Sequence, residues 1–312
     1  MRELLIIVSK SIFIFISSLL VILPFVLSAE SMSSTHQMIL CIPFILLLGI
    51  PHGAIDNILY LRDKNMSNLQ FIAVYLLIIG LNVALWWAFA RLAYIVFLVL
   101  SAYHFGQSQF SHYFQEKRST LFLLFFSWGL TILSALIYFN LDEIYFIMES
   151  VPEFGVFEIL HQEQDMRYLL LGSGAITLLT LFNLARNRFL MLHDLLMELL
   201  VLTLILASFY LMPLIIGFTL YFVILHSFKV LKEEYGFLTA QKETNTLAQF
   251  AKMVAPFSLL SIAGILFLFA AIYFKYLNIP YGFCLLIVIS SITLPHVFVM
   301  NKFYILFRGM NK

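Results

Sequence analysis

The chain has 312 residues, of which 62% are hydrophobic and only 11% charged. A soluble domain is nearer half apolar and a quarter charged, so this composition excludes a water-soluble fold and predicts an integral-membrane one. The net charge of +1, with no basic cluster interleaved with aromatics, speaks against a nucleic-acid partner. Cys41 and Cys284 stand alone in apolar runs and support neither a disulfide framework nor a thiolate metal site.

About 20 apolar residues cross a bilayer core. In chain order this length predicts ten helices, at 5–27, 38–61, 70–89, 92–114, 120–140, 167–185, 190–210, 212–231, 251–274 and 281–303. The first could be mistaken for a signal peptide, with Arg2 ahead of it and Ser28-Ala29 as a weak cleavage site. Its length, and Lys10 placed where it can snorkel, favour a retained helix. Residues 141–166 are acidic and mildly amphipathic, and read as an extracytoplasmic loop or interfacial helix. No Gly/Ser/Pro-rich linker divides the chain, so 1–312 is expected to form a single domain.

Charge sets the orientation of such a bundle. With the N-terminus in the cytoplasm, fifteen of the eighteen Lys and Arg residues fall inside, and only Arg91, Arg167 and Lys275 fall outside. The expected fold is an all-α, polytopic transmembrane bundle of about ten helices with both termini cytoplasmic, in the inner (cytoplasmic) membrane of the cell.

Four of the eight histidines map to loops or helix ends: His36, His112, His161 and His193. The others lie within even-numbered spans, which all run the same way. Counted from the outer end of each span, His52 is 14 residues in, His104 12, His226 14 and His296 15. At about 1.5 Å per residue the spread in depth is only about 5 Å. A buried imidazole needs a hydrogen-bond partner or a metal. Four at one level favour a metal that neutral imidazole suits, namely Fe, Zn, Cu or Ni. The alternative is four separate histidines, each bonded to a carbonyl or hydroxyl of a neighbouring helix.

The flanking residues fit a built site. Pro51 and Pro295 directly precede two of the histidines, and each frees a carbonyl one turn earlier, at Leu47 and Ser291. Gly49 and Gly53 make a small-xxx-small pair that permits close helix approach. Asp56, one turn after His52, is placed to accept the second ring N–H of a ligand histidine, or else sits at the interface. Glu198, in the seventh predicted span, is expensive inside a membrane and comes close to the histidine level, which makes it a second carboxylate candidate for that role. Ser101, His104, Ser108 and Ser111 form one polar stripe. Tyr103, Gln107, Tyr221 and Phe222 adjoin the histidines in sequence and are candidates to line a substrate.

The blocks G-I-P-H-G-A-I-D (49–56), Y-H-F-G-Q-S (103–108), L-Y-F-V-I-L-H-S (220–227) and T-L-P-H (293–296) resemble the Brp/Blh family of bacterial and archaeal membrane β-carotene 15,15′-dioxygenases. The resemblance runs from about residue 37 to 303. It implies central cleavage of β-carotene by O2 into two molecules of all-trans-retinal, with Fe(2+) held by His52, His104 and His226. It also implies a functional link to a retinal-binding rhodopsin. The family pattern carries a further histidine four residues after His226, where this chain has Val230; His296, from its depth, is the expected substitute. Two other readings stay open. One is a non-catalytic carotenoid-binding or rhodopsin-associated relative, and the other is a transporter in which His52, Asp56 and Glu198 relay protons.

Overall fold

The computed structural model describes residues 2–28, 33–62, 66–114, 119–149 and 162–310. Lys64, Lys117, Arg118, His161 and Lys312, counted above for orientation or as a loop histidine, lie outside that set, as do residues 150–161 of the predicted 141–166 connection. Among the described residues the fold is all helical. It comprises α1 (Arg2–Ser28), α2 (Ser34–Phe44), α3 (Asp56–Leu61), α4 (Asn68–Ala88), α5 (Ala90–Phe110), α6 (Ser119–Phe139) and α7 (Leu141–Glu149). It continues with α8 (Glu163–Arg186), α9 (Leu192–Leu211), α10 (Leu214–Thr219), α11 (Phe228–Ala240), α12 (Leu247–Tyr273) and α13 (Tyr281–Met310).

Eight helices among the described residues are long and apolar enough to cross a membrane, so this is a multi-pass membrane protein. The other two expected spans are helical as well: α1 runs over Arg2–Ser28 with an apolar stretch at Ser11–Pro24, and α5 has the length but carries Ser101, His104, Gln107, Ser108 and Gln109 on 21 residues.

Two spans are broken where their histidines lie. Between α2 and α3 the backbone widens into a π turn, Ile45–Gly49, and then tightens into a 3-10 turn, Ile50–Gly53. Pro51 cannot donate to a carbonyl one turn back, so a regular α ladder cannot run through it. Between α10 and α11 a second π segment, Leu220–Ser227, carries His226. π bulges concentrate at functional sites, because the extra residue turns side chains off the regular register. The span continues to Ala240, beyond the predicted end at 231. Val230, Glu233, Glu234, Phe237 and Leu238 all face inward, the two carboxylates included.

Helices α5 and α6 meet backbone to backbone at Gly106 and Gly129. Opposite them, Asn82 of α4 donates to Ser290 (3.2 Å) and Ser291 (3.0 Å), and the Trp86 indole donates to Ser290 (2.7 Å), which fastens α4 to α13.

Candidate metal centre

His52, His104, His226 and His296 converge. Ring centroids are 4.9 Å apart for His52–His296, 5.1 Å for His296–His104, 4.9 Å for His104–His226 and 5.2 Å for His226–His52. The four imidazoles thus close a square in which each meets its neighbours edge on. Within it, ligand nitrogens of His52, His104 and His296 lie within 4.8 Å of one another. His226 borders this trio without belonging to it. The four rings expected at one level thus lie together, three tightly grouped and His226 alongside.

Hydrogen bonds fix three of the tautomers. The Nδ1–H of His52 donates to the Gly49 carbonyl, which can only accept. His296 donates from Nδ1 to Asp56, 2.9 Å from Oδ1 and 3.0 Å from Oδ2. Ser108 donates its own proton to the Phe105 carbonyl (2.9 Å), so its Oγ accepts from His226 Nδ1 at 3.0 Å. In all three rings Nε2 is left with its lone pair. The Nε2 atoms of His226 and His296, and both ring nitrogens of His104, are buried without a partner. A stranded buried polar atom costs about 1–3 kcal/mol. Several stranded together at one point are what a cation would satisfy. The donor set is all neutral imidazole, which fits Fe, Zn, Cu or Ni and not Mg or Ca.

The glycines make room for this arrangement. A Cβ on Gly53 would stand 3.3 Å from His296 Nδ1, and one on Gly49 would stand 2.8 Å from the Phe222 ring. The small-xxx-small pair therefore admits one histidine and one aromatic of the site.

Asp56 takes the place expected of it beside His296, rather than beside His52 on its own span. It also accepts from Tyr75 OH (2.9 Å), a residue on α4 that nothing in the sequence pattern singled out. Residues that orient a ligating histidine typically change metal affinity about 10–100-fold when altered. Asp56→Asn is expected to weaken metal binding by that amount and Tyr75→Phe by the lower end of it, read by competition with a chelator. Unchanged affinity in both variants would remove the Asp56–His296 bond from the centre.

Glu198 does not join the histidines. Its carboxylate accepts from Gln109 Nε2 (2.7 Å) and Tyr113 OH (2.8 Å), five and nine residues beyond His104 on the α5 side. It serves the end of α5. Of the four residues expected to line substrate, only Phe222 borders the cavity beside the histidines. Gln107 donates to Tyr103 OH (3.2 Å) and Asn301 (3.0 Å), and Tyr221 packs on Phe105 and Phe209. Val230, where a further histidine was expected, is fully buried in an apolar cluster with Ile55 and Met300, so a histidine there would enter packed core.

All four histidines form one end of a cavity of about 280 Å³. The rest of its wall is almost wholly apolar, and includes Phe97, Leu136, Phe218 and Ile292. Along α13 it reaches from His296 back to Gly282, fourteen residues or about 21 Å. At the far end it is bounded by Met38, Ile144, Leu214 and Ile215. The site thus pairs an imidazole cluster with a long greasy slot.

A family model described as beta-carotene 15,15'-dioxygenase matches residues 44–304. No curated protein and no solved structure matches the chain.

Proposed function

Since this chain belongs to the beta-carotene 15,15'-dioxygenase family, we propose that it cleaves the central double bond of β-carotene with O2 to give two molecules of all-trans-retinal, using Fe(2+) held by His52, His104 and His296 with His226 beside them. The observation that supports this most is the set of unpartnered imidazole nitrogens at the closed end of an apolar slot. Iron bound there supplies a redox centre at which O2 and the polyene can meet. The protein's residues do the rest. Gly49, Asp56 and Ser108 hold the rings with Nε2 toward the centre, and the apolar wall takes up one end of the carotenoid and keeps water from the polyene.

The overall stoichiometry suits such a wall. One C=C bond is broken, each carbon receives one oxygen atom of O2, and no proton or reductant is consumed. The site therefore has no need of an acid–base pair, and Glu198 lies too far along α5 to act as one. Retinal is the chromophore class of rhodopsins, so the product would serve a retinal-binding partner in the same inner membrane.

The direct test is purified protein, supplied with iron and air, acting on β-carotene; the reading requires retinal as the product. Loss of carotenoid colour with no aldehyde formed would end it. The wall also predicts a preference. Beyond the histidines the described wall carries hydroxyls only at Ser101, Thr293 and Tyr94, so a hydroxyl on the end ring would exchange water for an almost wholly apolar surface. That costs about 1–3 kcal/mol, roughly five- to hundredfold. A carotenoid hydroxylated on both rings is expected to show that drop in kcat/KM. One with a single hydroxylated ring should lose much less, by inserting its bare end.

A further inference from the structure

The slot raises the question of how a rigid, water-insoluble rod reaches the histidines. Its far end is covered. Ile144 of α7 lies across it, and Gln37 and Glu143 latch the start of α10: Gln37 donates to Glu143 (2.7 Å), Glu143 accepts from Leu214 N–H (3.2 Å), and Gln37 accepts from Ile215 N–H (3.1 Å). The near end is the histidine layer itself. The α4–α13 side is fastened by Asn82 and Trp86, and the adjoining α5 side is filled by the apolar cluster around Trp86, Tyr94 and Ile137.

The side facing α12 differs. Between the π-turn span and α13 runs a second crevice of about 40 Å³, lined only by Ile, Leu, Val and Phe. Ile50 and Ile292 belong to the walls of both the crevice and the slot. They stand two and four residues from His52 and His296, so the crevice approaches the slot beside the metal centre. Its outer wall is α12, through Ile265 and Phe269.

Helix α12 is held unevenly. Its buried residues are Phe250, Val254, Ser258 and Ile265, so beyond Ser258 only Ile265 is buried. Leu259, Leu260, Leu266 and Phe267 are exposed. Pro256 lies inside the helix at the boundary between the anchored and the loosely held parts. A proline there removes one rung of the hydrogen-bond ladder and is the commonest cause of a kink or pivot.

Resting on the dioxygenase reading above, we infer that this crevice is the lipid-side entrance for the carotenoid, and that the part of α12 beyond Pro256 is its cover. A volume of about 40 Å³ is near that of a single water molecule in the liquid. The polyene therefore passes only when α12 swings away from Ile50 and Ile292. An all-hydrocarbon lining matches an all-hydrocarbon rod already dissolved in the bilayer, with no polar group to desolvate on either side.

Phe269 is partly buried and lines the crevice but not the slot, so it tests entry apart from chemistry. The assay is turnover of β-carotene carried in lipid vesicles. Phe269→Trp is expected to lower kcat/KM about tenfold while kcat at saturation and iron content stay as in the wild type, and Phe269→Ala is expected to equal or exceed the wild type. Wild-type kcat/KM in Phe269→Trp overturns the entrance, as does a fall in kcat and iron together. Should Phe269→Trp fail to fold, the pair Phe269→Cys and Val288→Cys makes the same test. The oxidised form should be slow and the reduced form restored; equal rates overturn the proposal. If the wild type forms no retinal in these vesicles, the dioxygenase reading fails and takes the entrance with it. An active wild type with an unaffected variant removes the entrance alone.

Discussion

On the proposed function, His104→Ala should strip the protein of iron and reduce β-carotene cleavage by more than about a hundredfold, beyond the loss seen when only an orienting partner of a ligand is changed. The reason lies in its isolation. Neither ring nitrogen of His104 has a hydrogen-bond partner, although the residue is only 2% exposed. If the imidazole were structural, it would have a bond to lose. Because it has none, the metal-free variant should unfold no earlier than the metal-free wild type, and removing a stranded buried polar group can even raise stability. Iron content by elemental analysis, paired with thermal unfolding of both metal-free proteins, separates the two cases. Retention of iron together with a large fall in the unfolding temperature would overturn the assignment. His296→Ala should behave the same way for iron but also release Asp56 and Tyr75 from their shared bond. His226→Ala decides between three ligands and four: with His226 outside the 4.8 Å set, the variant is expected to keep iron at reduced affinity.

Depth along each span was readable from the sequence, and depth was enough to bring four histidines together. Rotation about each helix was not. Glu198 shows the limit: it meets Gln109 and Tyr113, five and nine residues beyond His104, and none of the histidines. Tyr103 precedes His104 by one residue, a turn of about 100° around the helix, and so points toward Asn301 rather than the slot. The π segments compound the problem, because each inserts a residue into the register from which facing is counted. Asp56 was found because the one-turn rule placed it on the histidine face, though its partner proved to be on another span. Tyr75 carried no signal, since a tyrosine in an apolar run is ordinary and its target lies nineteen residues away. The charges at 229–234 concealed the end of their span, because a sequence does not show which charged residues will be buried by neighbours.

Gly106→Ala, like Gly129→Ala, should be strongly damaging for so small a change. A Cβ built on Gly106 would lie 1.9 Å from the Phe125 carbonyl oxygen, and one on Gly129 would lie 1.8 Å from that of Ala102. Contacts below 3.0 Å are not tolerated, so α5 and α6 would have to part by about an ångström. In an ordinary overpacked core a side chain gives way at a cost of about 1–3 kcal/mol. Here the obstacle is main chain within a helix, which cannot rotate aside, so the cost should exceed that range. The consequence reaches the metal centre, because Gly106 lies midway between His104 and Ser108. Shifting that turn draws His104 from its neighbours and Ser108 from His226 Nδ1. The expected result is a sharp loss of folded, monodisperse protein on size exclusion, with less iron per molecule in whatever folds. Gly80→Ala is the matched control: nothing lies within 4 Å of its Cβ, and an exposed helical glycine replaced by alanine gains about 0.5–1 kcal/mol. Equal yields and iron contents for the two variants would mean that α5 and α6 are not pressed together at Gly106, and that the position of His104 is set by something other than that contact.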